Sequence, residues 1–342
     1  MPSISNKGPI VFTKYLINGL KPLAEKIDVY YFSETNNPLD LGVGAHKISF
    51  LQKIDFTQYD IIHTTMLMPD LYVFYHRKNI KAKIITSMHN IIEEDLYLNY
   101  NPFRAFFMKL LWRLAISRPI QIIVSSIAMK SYYERFIGGF PKIKIITYGI
   151  TENLSEPIIN EDILLLNALK VKYKIIGSIG LTIKRKGFEQ LIKFLKINLD
   201  FAVVIIGDGP ERKKLEEMSK FYGVSDRFKI LGFRDNSSSY YSWMDIYASV
   251  SHSEGFGLAM LQAMPNSIPV ICSDLSIYKE YFTKDYVGLF KLNDIEDLNN
   301  EIIRIDTNRE YFAQKSNELY QQNFREEIMC RNHFDLYQDL LD

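Results

Sequence analysis

From Tyr173 to Phe290 the chain alternates short apolar runs with helix-forming stretches, and few folds accept that rhythm. Residues 173–179, 201–206, 227–231, 245–250, 268–272 and 286–290 read as buried strands, and 187–197 and 211–221 carry helical spacing. Short strands joined by helices imply a parallel sheet wound on both faces. The first half repeats the rhythm less cleanly. Its strands fall over 27–32, 59–64, 83–87, 120–125 and 142–147, and its helices over 13–23, 71–77 and 127–137. A chain of 342 residues is long for one domain. The polar, Pro-containing segment 151–160 is the expected hinge, giving α/β domains over 1–155 and 156–325.

Composition removes several classes of function. A net charge of +1 leaves no electrostatic footprint for nucleic acid, and 47% hydrophobic residues supply two full cores. Cys272 and Cys330 form neither a metal spacing nor a disulfide framework, so a reducing, cytoplasmic setting fits. No apolar run reaches the ~20 residues of a membrane span, and Met1 to Pro9 lacks a signal-peptide core. There is no Asp-x-Asp pair, no His-Glu-x-x-His and no complete Walker loop, so no metal and no cofactor is expected.

Ser253-Glu254-Gly255-Phe256-Gly257-Leu258 lies between two of the predicted strands and opens a helix that carries Gln262. Glycines 255 and 257 allow a sharp turn and close approach of a ligand. The amides of 255–258 then form an anion site. Glu254 cannot partner an anion; it is better explained as an acceptor for sugar hydroxyls. The pairing points to a nucleotide-sugar. A second loop, Gly180 to Gly187, places Lys184, Arg185 and Lys186 after another strand, as a clamp for a diphosphate. Gly207-Asp208-Gly209-Pro210 is a tight turn into a helix, read as structural. His89 follows the strand 83–87, at the end of a parallel strand where open α/β sheets bind ligands, and a surface or capping histidine is the alternative.

Glu254-Gly255-Phe256-Gly257-Leu258, with Gln262 eight positions after the Glu, resembles the signature of retaining GT-B glycosyltransferases of the family 4 type. The resemblance implies two Rossmann-like parallel-sheet domains facing a central cleft, with residues 326–342 crossing back to the first. It implies a nucleotide-diphosphate sugar donor whose diphosphate meets the 255–258 turn and Lys186, with Glu254 on the sugar and Gln262 on the ribose. Phe233, in Leu231-Gly232-Phe233, falls near the nucleobase by the same likeness, Gly8 in a donor-side glycine loop, and His89 near the transferred sugar. Retention by front-face attack follows from the resemblance, with the leaving phosphate helping to deprotonate the acceptor. The chain departs from the family at Gln262, where a Glu is usual, and at Gly180-Leu181, where an Arg is missing. It departs again at Tyr148, which replaces Asn, and before Gly8, where a first strand is missing or severely shortened. Either the chain starts too far downstream or the sheet has lost an element.

Asn101 to Arg118 carries four cations and no acid, with Asn101 and Pro102 as N-cap and first helical residue. A basic, aromatic helix suits contact with an anionic membrane over 102–118. A helix packed behind the sheet with its cations snorkelling explains it nearly as well. The expected function is transfer of a hexosyl group to a glycan or lipid-linked acceptor in bacterial surface polysaccharide synthesis (O-antigen or other lipopolysaccharide, capsule or exopolysaccharide). The expected site is cytoplasmic, at the inner face of the plasma membrane. Two rivals remain: a non-catalytic sugar-nucleotide-binding scaffold on the same fold, and a nucleotide-sugar epimerase.

Overall fold

A computed structural model describes residues 1–35, 38–117, 121–138, 142–152 and 156–342. Arg118, Ile120 and positions 153–155 of the expected hinge lie outside the described residues. The chain forms two compact units, Met1–Ile150 with Asn323–Asp342, and Thr151–Gln322.

The first unit opens with α1 (Gly8–Leu20), where Pro9 sits at the start because its missing N–H has no partner there in any helix. The chain continues through β1 (Asp28–Tyr31), β2 (Gly44–Lys47) and β3 (Ile61–Thr65) to α2 (Leu67–His76). It then runs through β4 (Lys83–Ser87), α3 (Ile92–Asn99), α4 (Pro102–Ala115), β5 (Gln121–Val124), α5 (Ile127–Ile137) and β6 (Lys142–Ile145). Strands β3, β4, β5 and β6 pair in that order, all parallel, while β1 and β2 pair as a separate parallel ribbon. Sequence patterning misses β2 because its four residues are all exposed and carry no apolar alternation. Ahead of α1 the described residues make isolated bridges. Ser3 bridges Ser33 in parallel, and the Met1 nitrogen donates to Tyr30 O at 2.6 Å. A cavity of about 580 Å³ lies between β1 and β3.

Helix α4 is capped as expected, Asn101 Oδ1 accepting from Arg104 N at 2.9 Å. It is not packed behind the sheet by its apolar face. Only Ala105, Trp112 and Ala115 are buried, with Trp112 Nε1 donating to buried Asp70 Oδ2 at 3.0 Å. Phe103, Phe106, Phe107, Leu110, Leu111 and Leu114 are exposed, Phe103 by 75%. At about 100° per residue these six span an arc of roughly 140°, flanked by Arg104 on one side and Arg113 on the other.

The second unit begins with α6 (Asn160–Lys170) and β7 (Lys174–Ile179), then α7 (Glu189–Ile197), β8 (Phe201–Ile206), α8 (Arg212–Phe221) and β9 (Phe228–Gly232). It continues with β10 (Ile246–Ser249), α9 (Leu258–Ala263), β11 (Val270–Ser273), β12 (Gly288–Phe290), α10 (Ile295–Thr307) and α11 (Arg309–Asn323). The sheet order is β12-β11-β10-β7-β8-β9, every pair parallel. Strand β8 reads Phe-Ala-Val-Val-Ile-Ile and is buried throughout, because a sheet covered on both faces needs apolar residues on both. Strand order reverses between β7 and β10, and open α/β sheets place their ligands at that switch point, beyond the carboxyl ends of the strands.

The last helix, α12 (Glu326–Leu341), belongs to the first unit. It packs on α1, and its entry is pinned where Ile150 N donates to Phe324 O and Glu326 N to Ile150 O, at 2.9 and 3.0 Å.

Candidate active site

The loops after β7 and β10 flank the switch point, and they are tied to each other. After β7, Lys184–Lys186 form one short helical turn, ended by Gly187 at φ +66°. A Cβ at Gly187 would lie 2.2 Å from Val250 O, so only glycine lets this loop lie against the chain leaving β10. His252 N donates to Arg185 O at 2.8 Å, which fixes the two backbones together.

The side chains complete the tie. Lys186 Nζ donates to Glu254 Oε1, Arg185 Nη1 donates to Glu254 Oε2 at 3.1 Å and to Ser253 O at 2.8 Å, and Ser251 Oγ donates to Glu254 Oε1 at 2.8 Å. Glu254 is buried, 6% exposed, and its two cations are mostly covered. Burial alone would raise the carboxyl pKa, but Lys186 and then Arg185 overcome it and hold it at about 2. Two cations face one carboxylate, so the site keeps a net positive charge, and Lys184 lies exposed beside it. Sequence reading places the cationic clamp and the acidic acceptor as separate devices; the structure makes them one network. It misses Ser251, for which the Ser-x-x-Glu spacing was the available signal.

The turn itself is closely packed. Gly257, at φ +85°, caps α9, and a Cβ there would meet the Tyr278 hydroxyl at 2.8 Å. Phe256 is 1% exposed and packs against Tyr281 and Phe282, so what this residue can offer a ligand is its backbone. Gly255 is buried, Leu258 partly covered, and Gln262 partly covered on α9 with its Oε1 3.5 Å from the Tyr241 hydroxyl. Phe233, 46% exposed, follows the end of β9. The Gly207–Pro210 turn is structural as read. Gly207 N donates to Gly232 O at 2.8 Å, and Thr182 N to Asp208 O at 3.0 Å, so it braces the loop carrying the cations.

Gly8 and His89 lie in the first unit. Gly8 is the first residue of α1 rather than part of a free loop. His89 follows β4 and is 7% exposed, its Nδ1 paired with the Tyr148 hydroxyl at 2.5 Å and its ring against Phe12 of α1 at 5.0 Å. Its Nε2 has no hydrogen-bond partner among the described residues. Burial, with a smaller push from His333, lowers its pKa to about 3, so it is neutral at physiological pH and can donate or accept one hydrogen bond without carrying charge. Tyr148, which replaces Asn, therefore orients the candidate imidazole. No cluster of three or more metal-ligating residues occurs among the described residues.

Comparison with known proteins fits this geometry. The fold is GT-B. A sucrose-phosphate synthase from Thermosynechococcus elongatus superposes with TM-score 0.84 at 19% identity, over 99% of this chain and 95% of that one. Anabaena HepE in complex with UDP-glucose gives 0.82 at 17%, over 99% and 98%. Residues 166–325 match the family model of glycosyl transferases group 1. The O-antigen biosynthesis glycosyltransferase WclY of Escherichia coli is 26% identical over 95% of this chain and 94% of its own. These likenesses support a glycosyltransferase of group 1.

The ion network makes stability acid-sensitive in a defined window. Glu254 has a folded pKa of about 2 against an ordinary 4.5, so its contribution is complete above pH 4.5 and is lost as pH falls towards 2. Denaturant midpoints measured across that range should fall for the native protein, and Glu254→Gln should flatten that part of the slope. At pH 7 the same variant leaves Arg185 and Lys186 without their counter-ion and should cost about 3 kcal/mol in urea unfolding.

Proposed function

We propose that the protein is a retaining glycosyltransferase of the family 4 type, moving a hexosyl group from a nucleotide-diphosphate sugar to a hydroxyl of a glycan or lipid-linked acceptor in bacterial surface polysaccharide synthesis. The carrying observation is the net-positive Arg185–Lys186–Glu254 network at the switch point of the second sheet. A diphosphate arriving there meets Lys186, Arg185 and exposed Lys184, and negative charge builds on it as the glycosidic bond breaks. Cations already held beside the diphosphate stabilise that charge, so the proposed reaction needs no metal. As the cations turn to the diphosphate, the Glu254 carboxylate becomes available to sugar hydroxyls. Gln262 accepts from ribose and the 255–258 amides meet phosphate oxygen. Phe233 lies by the base, and His89 hydrogen-bonds the transferred sugar as a neutral imidazole. Front-face attack then retains configuration, the departing phosphate oxygen taking the acceptor proton.

The test is a thermal-shift and binding panel of nucleotide diphosphates and nucleotide-sugars, with chelator and then with magnesium. One base family should stabilise the protein equally in both, and Lys186→Ala should weaken binding roughly ten- to hundredfold, the loss of a charge-assisted hydrogen bond. Binding with neither transfer to an acceptor nor hydrolysis of the donor would favour the non-catalytic scaffold; release of an epimerised free sugar would favour the epimerase.

Peripheral membrane contact through α4 is part of the same proposal. No helix among the described residues is long and apolar enough to cross a membrane. Six exposed large apolar side chains on one arc, with cations on both borders, suit a helix lying in the headgroup region. Vesicles containing phosphatidylglycerol should sediment the native protein and leave Phe103→Ser/Phe107→Ser/Leu110→Ser in solution. Its melting temperature should be unchanged, since these side chains make no core. Equal sedimentation of both proteins would refute the contact.

A further inference from the structure

We propose that Gln190 is a positioning residue of the donor site: its buried amide keeps the loops carrying Lys186 and Glu254 in register once a bound diphosphate has drawn the cations off the carboxylate. Gln190 stands in the first turn of α7 and is 1% exposed. Its Nε2 donates to Val250 O at 2.7 Å and to Gly187 O at 3.3 Å, and its Oε1 accepts from Asn293 N at 2.9 Å. Every partner is backbone. Both amide hydrogens are engaged, and the N–H of Asn293 fixes which way the amide faces. Three bonds thus join three loops. Gly187 ends the cationic turn, Val250 directly precedes Ser251, and Asn293 lies in the turn after β12. A Cβ at Gly187 would stand 2.7 Å from Gln190 Nε2 as well as 2.2 Å from Val250 O, so the two loops are seated around this amide.

The third partner is itself firmly placed. Asn293 has φ +68°, in the left-handed region that Asn tolerates better than most residues. Its turn is tied by Leu292 N to Asp274 Oδ1 at 3.3 Å and by Lys291 N to Asp297 Oδ2 at 2.6 Å. Gln190 therefore refers both site loops to a braced point outside the site. In the free protein the ion network already registers these loops, and Gln190 duplicates it. On the proposed donor reading, on which this inference rests, a diphosphate takes Lys186 and Arg185 away from Glu254. The ionic ties then hold ligand, while the bonds of Gln190 involve no charged group and remain. The backbone bond from His252 N to Arg185 O remains too, but it joins the loops only to each other. Glu189 and His252 pair at 2.7 Å nearer the solvent, both partly exposed, where water weakens an ion pair. Loss of Gln190 is consequently felt more in the bound protein than in the free one. A residue that only stabilises the core is felt equally in both.

The experiment uses Gln190→Met, which keeps the volume and loses all three bonds, alone and combined with Glu254→Gln, which cuts the ionic ties without any ligand. Amide hydrogen exchange is followed in the peptide covering 250–258 of the full chain. Either variant alone should speed exchange there modestly, and the double variant at least about tenfold beyond the product of the two, as ties that stand in for one another require. A double variant equal to the product would overturn the proposal. Gln190→Glu keeps the test open if the double variant does not fold. At about pH 8 its carboxylate faces Val250 O and Gly187 O and should open the segment; at about pH 5 the protonated carboxyl donates to Val250 O and should restore protection, after correction for intrinsic exchange. Protection that does not change with pH in this variant would overturn the proposal as well. Uridine, adenosine, guanosine and cytidine diphosphates are then titrated calorimetrically. The one that binds the native protein should bind Gln190→Met at least about tenfold more weakly. It should bind Ile192→Val, a change confined to the core, as it binds the native protein. Native affinity in Gln190→Met would overturn the proposal. Binding of none of the four to the native protein, with non-additive exchange, would sink the donor reading and leave the positioning of the loops standing.

Discussion

The second unit depends on a buried ion network that holds two loops in one place. Glu254 would be costly inside the protein alone, and so would either cation; together with Ser251 they satisfy one another across the point where strand order reverses. The glycines follow from that closeness. Gly187 exists so that the cationic loop can touch the chain leaving β10, and Gly257 so that the turn can pass the Tyr278 hydroxyl. The sheet supplies the position, the network supplies the registration of two loops, and the charge balance there is positive.

This arrangement has a mechanistic economy. A protein that keeps cations ready for a diphosphate must neutralise them while the site is empty. Here the neutralising group is itself a candidate ligand for the other half of the donor. In the proposed donor complex, binding would exchange one set of charge pairs for another instead of burying new charge, which would keep the desolvation cost low.

Much of the fold was legible in the sequence, because parallel strands buried on both faces announce themselves as apolar runs. β8 and α5 fall where expected to the residue, and β4 likewise. What escaped was local and polar. β2 is exposed along its length, and α3 is a two-turn helix whose first turn is acidic rather than amphipathic. At the site, the residue types and their loops were readable, but the pairing of Glu254 with Arg185 and Lys186 was not, since positions almost seventy apart meet only through the strand order. Patterning of α4 emphasised its cations, which do not share a face. The informative stripe was the aromatic one between them, and only its exposure shows that it is uncovered.

Helix α12 follows the whole second unit in sequence, yet it completes the first unit, gripping Ile150 at its entry and packing on α1. During synthesis the first 150 residues therefore leave the ribosome without the surface they will finally pack against, and the apolar side of α1 waits uncovered while the whole second unit emerges. Residues 151–322 can therefore settle before the first unit is complete, since that unit waits for 323–342. Loss of the α12 residues would thus be felt in the first unit, far away in sequence.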